Sequence, residues 1–187
     1  MNKSLLLALV GLIVFSGNLF AGEENKMAQA KKILVVYYSK TGNTERVAKD
    51  VASALGADLE KVIDRKDRHG FFAFFTSGRD AQKKRETEIE PPQKNPADYD
   101  LVVVGTPVWA WNITPAIRTY LDMQKGKFKN IAYIITAGGT PAEKIIPLCE
   151  EVTGIKPMAY AGFVGQELRD EKIYKEKVAK FIEDLKK

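Results

Sequence analysis

Five short apolar runs, each followed by a stretch with helical spacing, constrain this chain more than any other feature. Ile33-Leu-Val-Val-Tyr-Tyr38 and Leu101-Val-Val-Val-Gly105 are the clearest, residues 131–136 and 158–164 repeat the pattern, and residues 59–63 form a weaker version. A strand that is apolar at every residue, not at alternate ones, is covered on both faces. Between the runs, Val47, Ala48, Val51, Ala52 and Leu55 make one helical stripe ending at Gly56, and residues 71–85, 115–123 and 142–152 read as further helices, the last interrupted by Pro147. Tyr174, Val178, Phe181, Ile182 and Leu185 close the chain with an amphipathic helix. Strand and helix in strict alternation predict an α/β fold: a parallel sheet between two helix layers, in a single domain over residues 31–187. In such sheets the ligand lies beyond the C-terminal ends of the strands, where strand order reverses. The residues directly after Tyr38, Gly105 and Thr136 are therefore the ones to search for chemistry.

The first thirty residues form a different object. Lys3 precedes an unbroken apolar stretch over residues 5–15, and Leu19-Phe20-Ala21 offers a small residue for cleavage, so residues 1–21 have the layout of a signal peptide or membrane anchor, with residues 22–30 as a linker. The other reading is that Met27 is the true start and the upstream stretch an extension, because Met27-Ala-Gln-Ala-Lys-Lys32 runs straight into a strand. Export or anchoring follows from the first reading and a cytoplasmic protein from the second; a membrane is met only through this segment, if it stays uncleaved.

Composition excludes several classes. One Cys permits no internal disulfide, and one Cys with one His is too few soft ligands for a structural zinc site, so no metal site is expected. The net charge of +5 lies wholly on residues 27–187, since Lys3, Lys26, Glu23 and Glu24 cancel. It is too mild and too dispersed for a dedicated nucleic-acid binder, while small anionic ligands suit it. Cys149, in a stripe with Ile145, Ile146 and Val152, reads as a core residue, and His69 as surface.

Three loops carry the chemistry. Ser39-Lys-Thr-Gly-Asn-Thr44 places three hydroxyls, an amide and a turn-forming glycine at a helix N-terminus, where free N–H groups favour a phosphate. It matches neither the Walker loop nor the dinucleotide fingerprint. An ordinary N-cap would need one such residue, and this loop offers five at Ser39, Thr41, Gly42, Asn43 and Thr44. After Gly105 comes Thr106-Pro-Val-Trp-Ala-Trp-Asn112, whose Trp109 and Trp111 either cover a flat ligand or pack on the aromatic start of the 71–85 helix. After Thr136 comes Ala137-Gly-Gly-Thr140, where two glycines allow a ligand edge to approach the backbone.

With Gly-Thr-Pro-Val-Trp at 105–109 and Gly-Gly at 138–139, this set of loops resembles the flavodoxin family, in its short-chain form, over essentially all of residues 31–187. The resemblance implies a three-layer fold with a five-stranded parallel sheet in the order 2-1-3-4-5, and FMN bound without a covalent bond. It implies that Ser39, Thr41, Gly42, Asn43 and Thr44 hold the 5′-phosphate, that Thr106, Pro107, Trp109, Ala110, Trp111 and Asn112 line one side of the flavin ring, and that Ala137, Gly138, Gly139 and Thr140 line the other.

Two departures from an electron-carrier flavodoxin shape the functional expectation. The third loop has no aromatic residue, and the charge is positive where such carriers are acidic. A ring left open on one face admits a second planar molecule, which predicts an oxidoreductase passing electrons from NAD(P)H to a quinone or similar acceptor. The other class is a non-enzymatic carrier between protein partners in electron transport. The chemistry would lie on the flavin, with no catalytic side chain, and both a monomer and a homodimer stay open. The segment Arg65-Lys-Asp-Arg-His-Gly-Phe-Phe72, together with Phe74 and Phe75, is a candidate for an apolar lid over the cofactor edge.

Overall fold

The computed structural model describes residues 31–68 and 71–187, with residues 71–75 as backbone only. The leader and linker (residues 1–30), His69 and the side chains of the Phe71–Phe75 lid lie outside the described residues.

Five strands run parallel: β1 (Ile33–Tyr37), β2 (Asp58–Lys61), β3 (Leu101–Trp109), β5 (Ile131–Ala137) and β6 (Ala159–Val164), side by side in the order β2-β1-β3-β5-β6. Counting the parallel strands alone, this is the 2-1-3-4-5 order. A two-residue β4 (Asn112–Ile113) pairs antiparallel with the end of β3 and was not visible in the sequence.

The uniform strand pattern has a direct physical cause. Along β1, Leu34 and Val36 enter one core and Val35 and Tyr37 the other; β3 divides Val102 and Val104 from Leu101 and Val103 in the same way. Successive side chains point to opposite faces, so a sheet covered on both sides must be apolar throughout. The first core is closed by α3 (Pro115–Met123) and α4 (Ile146–Thr153), the second by α1 (Asn43–Leu55) and α5 (Glu171–Lys186). The edge strand β2 exposes Asp58 and Lys61, which is why its signal is weak. α2 (Phe71–Gln82) packs against the end of β3, α3 and β4. Among the described residues no helix is long and apolar enough to cross a membrane.

Local chemistry sets the boundaries. Gly56 ends α1 in the left-handed conformation at φ 59°, which a Cβ would penalise. Asp170 accepts bonds from the N–H groups of Lys172 and Ile173 and starts α5 ahead of Tyr174. Pro147 does not interrupt a helix: a short 3-10 turn (Ala142–Lys144) comes first, and the proline sits in the first turn of α4, where its missing N–H leaves no bond unmade. β3 runs past Gly105 through Pro107 because β1 ends opposite Gly105, leaving the last residues of β3 paired with β5 alone among the parallel strands.

Cys149 is fully buried in the first core, and burial pushes its thiol up to about 12. A thiol reagent at pH 8 is expected to leave Cys149 unmodified in the native protein and to react on unfolding; fast native labelling would contradict this packing.

Candidate functional site

The 39–44 loop leaves β1 and turns into α1 through Gly42, at φ +89°. Ser39 Oγ accepts a bond from the Gly42 N–H at 3.1 Å, which fixes the turn. No side chain caps α1, so the N–H groups of its first turn are left for a ligand. Thr41, Gly42 and Asn43 are exposed there. Thr44 is not: it is 1% exposed, and its hydroxyl lies 2.8 Å from that of Thr136 on β5. Its hydroxyl is therefore turned into the fold, away from the exposed face of the loop. Gly105, between them, approaches so closely that a Cβ would stand 3.1 Å from both Thr44 Cγ2 and Tyr37 Cβ. Glu45, the acid in this first turn, is drawn off by Lys49 and Lys61, and the Lys49 bond holds its carboxyl below the usual range.

The Trp loop is a tight hairpin between β3 and β4, with Trp109 opposite Asn112. Its two turn residues, Ala110 and Trp111, have φ of 44° and 60°. This is the double left-handed geometry of a two-residue hairpin, in which Asn-Gly is the usual pair. Two residues with Cβ atoms there store about 1–2 kcal/mol each. The strain presents Trp111 to solvent at 72% exposure, while Trp109 turns inward, edge-on to Tyr38 at 5.6 Å between ring centres. The hairpin is anchored from below: Asn112 Oδ1 accepts from its neighbour's N–H (Ile113) at 2.9 Å and from Arg118 at 3.0 Å, and the Thr106 hydroxyl donates to the Pro107 carbonyl. Thr106 and Asn112 thus support the loop from inside, at 0% and 7% exposure. Replacing Ala110-Trp111 by Asn-Gly is expected to raise thermal stability while weakening ligand binding at this loop; urea midpoints and a flavin titration on the same protein read both effects.

A cavity of about 620 Å³ runs from Lys40 and Thr41 along Pro107, Val108, Trp109, Ala110 and Trp111. Its far wall is α2, through Ser77, Gly78, Arg79 and Gln82, which sequence reasoning did not place at the site. Gly78 of α2 faces Ala110, and a Cβ on it would lie 3.7 Å from that of Ala110, an ordinary packing distance, so no local signal in the sequence marks this wall. Ala137, Gly138, Gly139 and Thr140 do not line this cavity; Ala137 is the buried last residue of β5 and the other three follow it on the adjoining strand end, where a Cβ on Gly138 or Gly139 would meet no atom within 4 Å.

Buried charges lock α2 in place. Arg68, 4% exposed, donates to Asp64 and to Asp80 at 2.9 Å each, and Lys66 and Arg85 reach Asp80 at 2.7 and 3.3 Å. Burial by itself would raise the Asp80 carboxyl, but the Lys66 and Arg68 bonds outweigh it and hold it below the usual range.

A parallel sheet in this order, with an uncapped helix N-terminus beside an aromatic-walled cavity at its C-terminal edge, defines a flavodoxin-type ligand-binding protein. The flavodoxin family model matches residues 32–185, and the chain belongs to that family, whose cofactor is FMN. A flavoprotein from Lactobacillus acidophilus, solved in complex with FMN, is similar at 25% identity and a TM-score of 0.63, over 75% of this chain and 97% of that one. A flavoprotein from Bacteroides eggerthii shares the fold at 21% identity and a TM-score of 0.64, over 80% and 98% of the two chains. The residues present fit FMN: uncapped N–H groups for a dianion, aromatic walls for a flat ring, and open space against Gly138 and Gly139.

Proposed function

We propose that this protein binds FMN at the C-terminal edge of its sheet and passes electrons from NAD(P)H to a quinone or similar planar acceptor. The observation that carries the reading is the aromatic-walled cavity of about 620 Å³, which begins at the 39–44 loop and has no acidic side chain among the described residues that line it. When bound, FMN supplies the hydride chemistry. The first-turn N–H groups of α1, with the Ser39 and Thr41 hydroxyls and the Asn43 amide, hold the phosphate. Pro107 to Trp111 exclude water from one face of the ring, residues 77–82 of α2 wall the cavity opposite them, and the backbone of Ala137 to Thr140 borders the site from the adjoining strand end. No aromatic residue stands in the 137–140 loop to close that side.

The test is anaerobic turnover of the FMN-loaded protein with NADH or NADPH and a panel of quinones. Oxidation of the nucleotide with formation of hydroquinone is the expected result. Failure to oxidise either nucleotide, together with a stepwise reduction that halts after one electron, returns the carrier reading. We also propose that residues 1–21 act as an export signal or anchor; mass spectrometry of the native N-terminus is expected to find Gly22 after cleavage or Met1 in an anchor, and a start at Met27 overturns the proposal.

A further inference from the structure

Arg79 is a cation lining the cavity, and among the described residues no anion pairs with it. The neighbouring Asp80 is already bonded by Lys66, Arg68 and Arg85. Lys40, another cation of the lining, lies with its Nζ 5.9 Å from the Trp109 ring centre and likewise has no carboxylate partner among the described residues. Trp109, the exposed Trp111 and Pro107 belong to the same lining. A guanidinium presents a planar fork of donors matched to carboxylate-like groups, and here that fork is free beside an aromatic wall.

We propose that Arg79, with Lys40, selects planar aromatic acceptors that carry an anionic substituent, a carboxylate or a sulfonate. This rests on the reductase reading for its turnover arm but not for its binding arm. The reaction balances without Arg79: an o- or p-quinone takes a hydride equivalent from NAD(P)H through the flavin and one proton from solvent, giving hydroquinone and NAD(P)+. Arg79 positions the acceptor by its anionic group and is a specificity-determining residue.

The experiment compares the FMN-loaded native protein with Arg79→Gln and Arg79→Lys. Arg79 is exposed, and among the described residues its side chain forms no ion pair, so both variants are expected to fold, which thermal melting verifies. With NADPH saturating, Arg79→Gln is expected to raise the KM for 1,2-naphthoquinone-4-sulfonate about tenfold, as loss of one charge-assisted contact does. Because Arg79 also lines the cavity assigned to the flavin, the FMN affinity of each variant is titrated first and rates are taken at saturating FMN; the KM for neutral 1,2-naphthoquinone then rises much less than that for the sulfonate, and Arg79→Lys recovers part of the sulfonate loss. In the binding arm, calorimetric titration with redox-inert 1-naphthalenesulfonate shows the same loss, while 1-naphthol does not. If no quinone turns over but the sulfonate still binds through Arg79, the reductase reading falls and the anion site stands. Equal sulfonate affinity in native protein and Arg79→Gln overturns the proposal. So does an effect confined to the KM for NADPH, which would place the nucleotide's phosphates at Arg79.

Discussion

Replacing Thr41 and Asn43 together by aspartate abolishes FMN uptake while leaving the fold intact. Both positions are exposed, and an aspartate at Asn43, the first residue of α1, is favourable to the helix dipole. The same two carboxylates stand where a phosphate dianion must sit. Two like charges about 4 Å apart repel by roughly 4 kcal/mol at the effective dielectric of a protein surface. Salt screening reduces that, and a loss of at least ~100-fold in affinity, about 2.7 kcal/mol, remains. Titration by quenching of flavin fluorescence measures it. An unchanged dissociation constant would remove the phosphate from this loop. Thr44 would be a poor choice for the same test, because its hydroxyl is buried against Thr136 and a carboxylate there would unfold the edge of the sheet.

Asp80→Asn has the other large effect, on stability. Removing this carboxylate strips Arg68 of one of its two anionic partners, and Arg68 already has Nη2 buried without a partner. Breaking a buried pair in this way costs about 3–5 kcal/mol, which for a domain of this size lowers the Tm by roughly 10 °C. The pH dependence has a definite sign. A carboxyl held below its ordinary value contributes stability that is complete above the unfolded-state pKa, near 4, and is lost as pH falls through the lowered folded-state value. The native protein should therefore lose thermal stability on acidification below about pH 4 more steeply than Asp80→Asn does. Parallel pH profiles of Tm would contradict the assignment. The contrast with Arg79, one residue earlier, is instructive: that side chain faces the cavity, and its removal should leave the Tm where it is.

How much was legible depended on how local the signal was. The uniformly apolar β1, β3 and β5 announced a two-sided sheet because each residue's face is settled by the period of a strand. The helix stop at Gly56 and the turn at Gly42 were legible because glycine tolerates left-handed backbone where other residues resist it. β4 was hidden because Ala110-Trp111 lacks the Asn-Gly signature of the hairpin it forms, an exception sustained by Asn112 and Arg118 beneath it. The division between inward and outward polar residues was hidden as well. Thr41 and Thr44 look alike in the sequence, yet one is exposed and the other is hydrogen-bonded to a residue 92 positions away.

The order of residues by itself determined the parallel sheet between two helix layers and the place of the 39–44 loop at its C-terminal edge, because periodicity and backbone preference act over a few residues; the family was legible separately, as a resemblance of the 39–44, 105–109 and 138–139 motifs. Only the tertiary structure decided that residues 77–82 of α2 form a wall of the cavity, that Trp111 faces out while Trp109 faces in, and that Arg79 is left without an anion among the described residues. These depend on partners distant in the chain, and on Lys66, Arg68 and Arg85 occupying the Asp80 carboxylate.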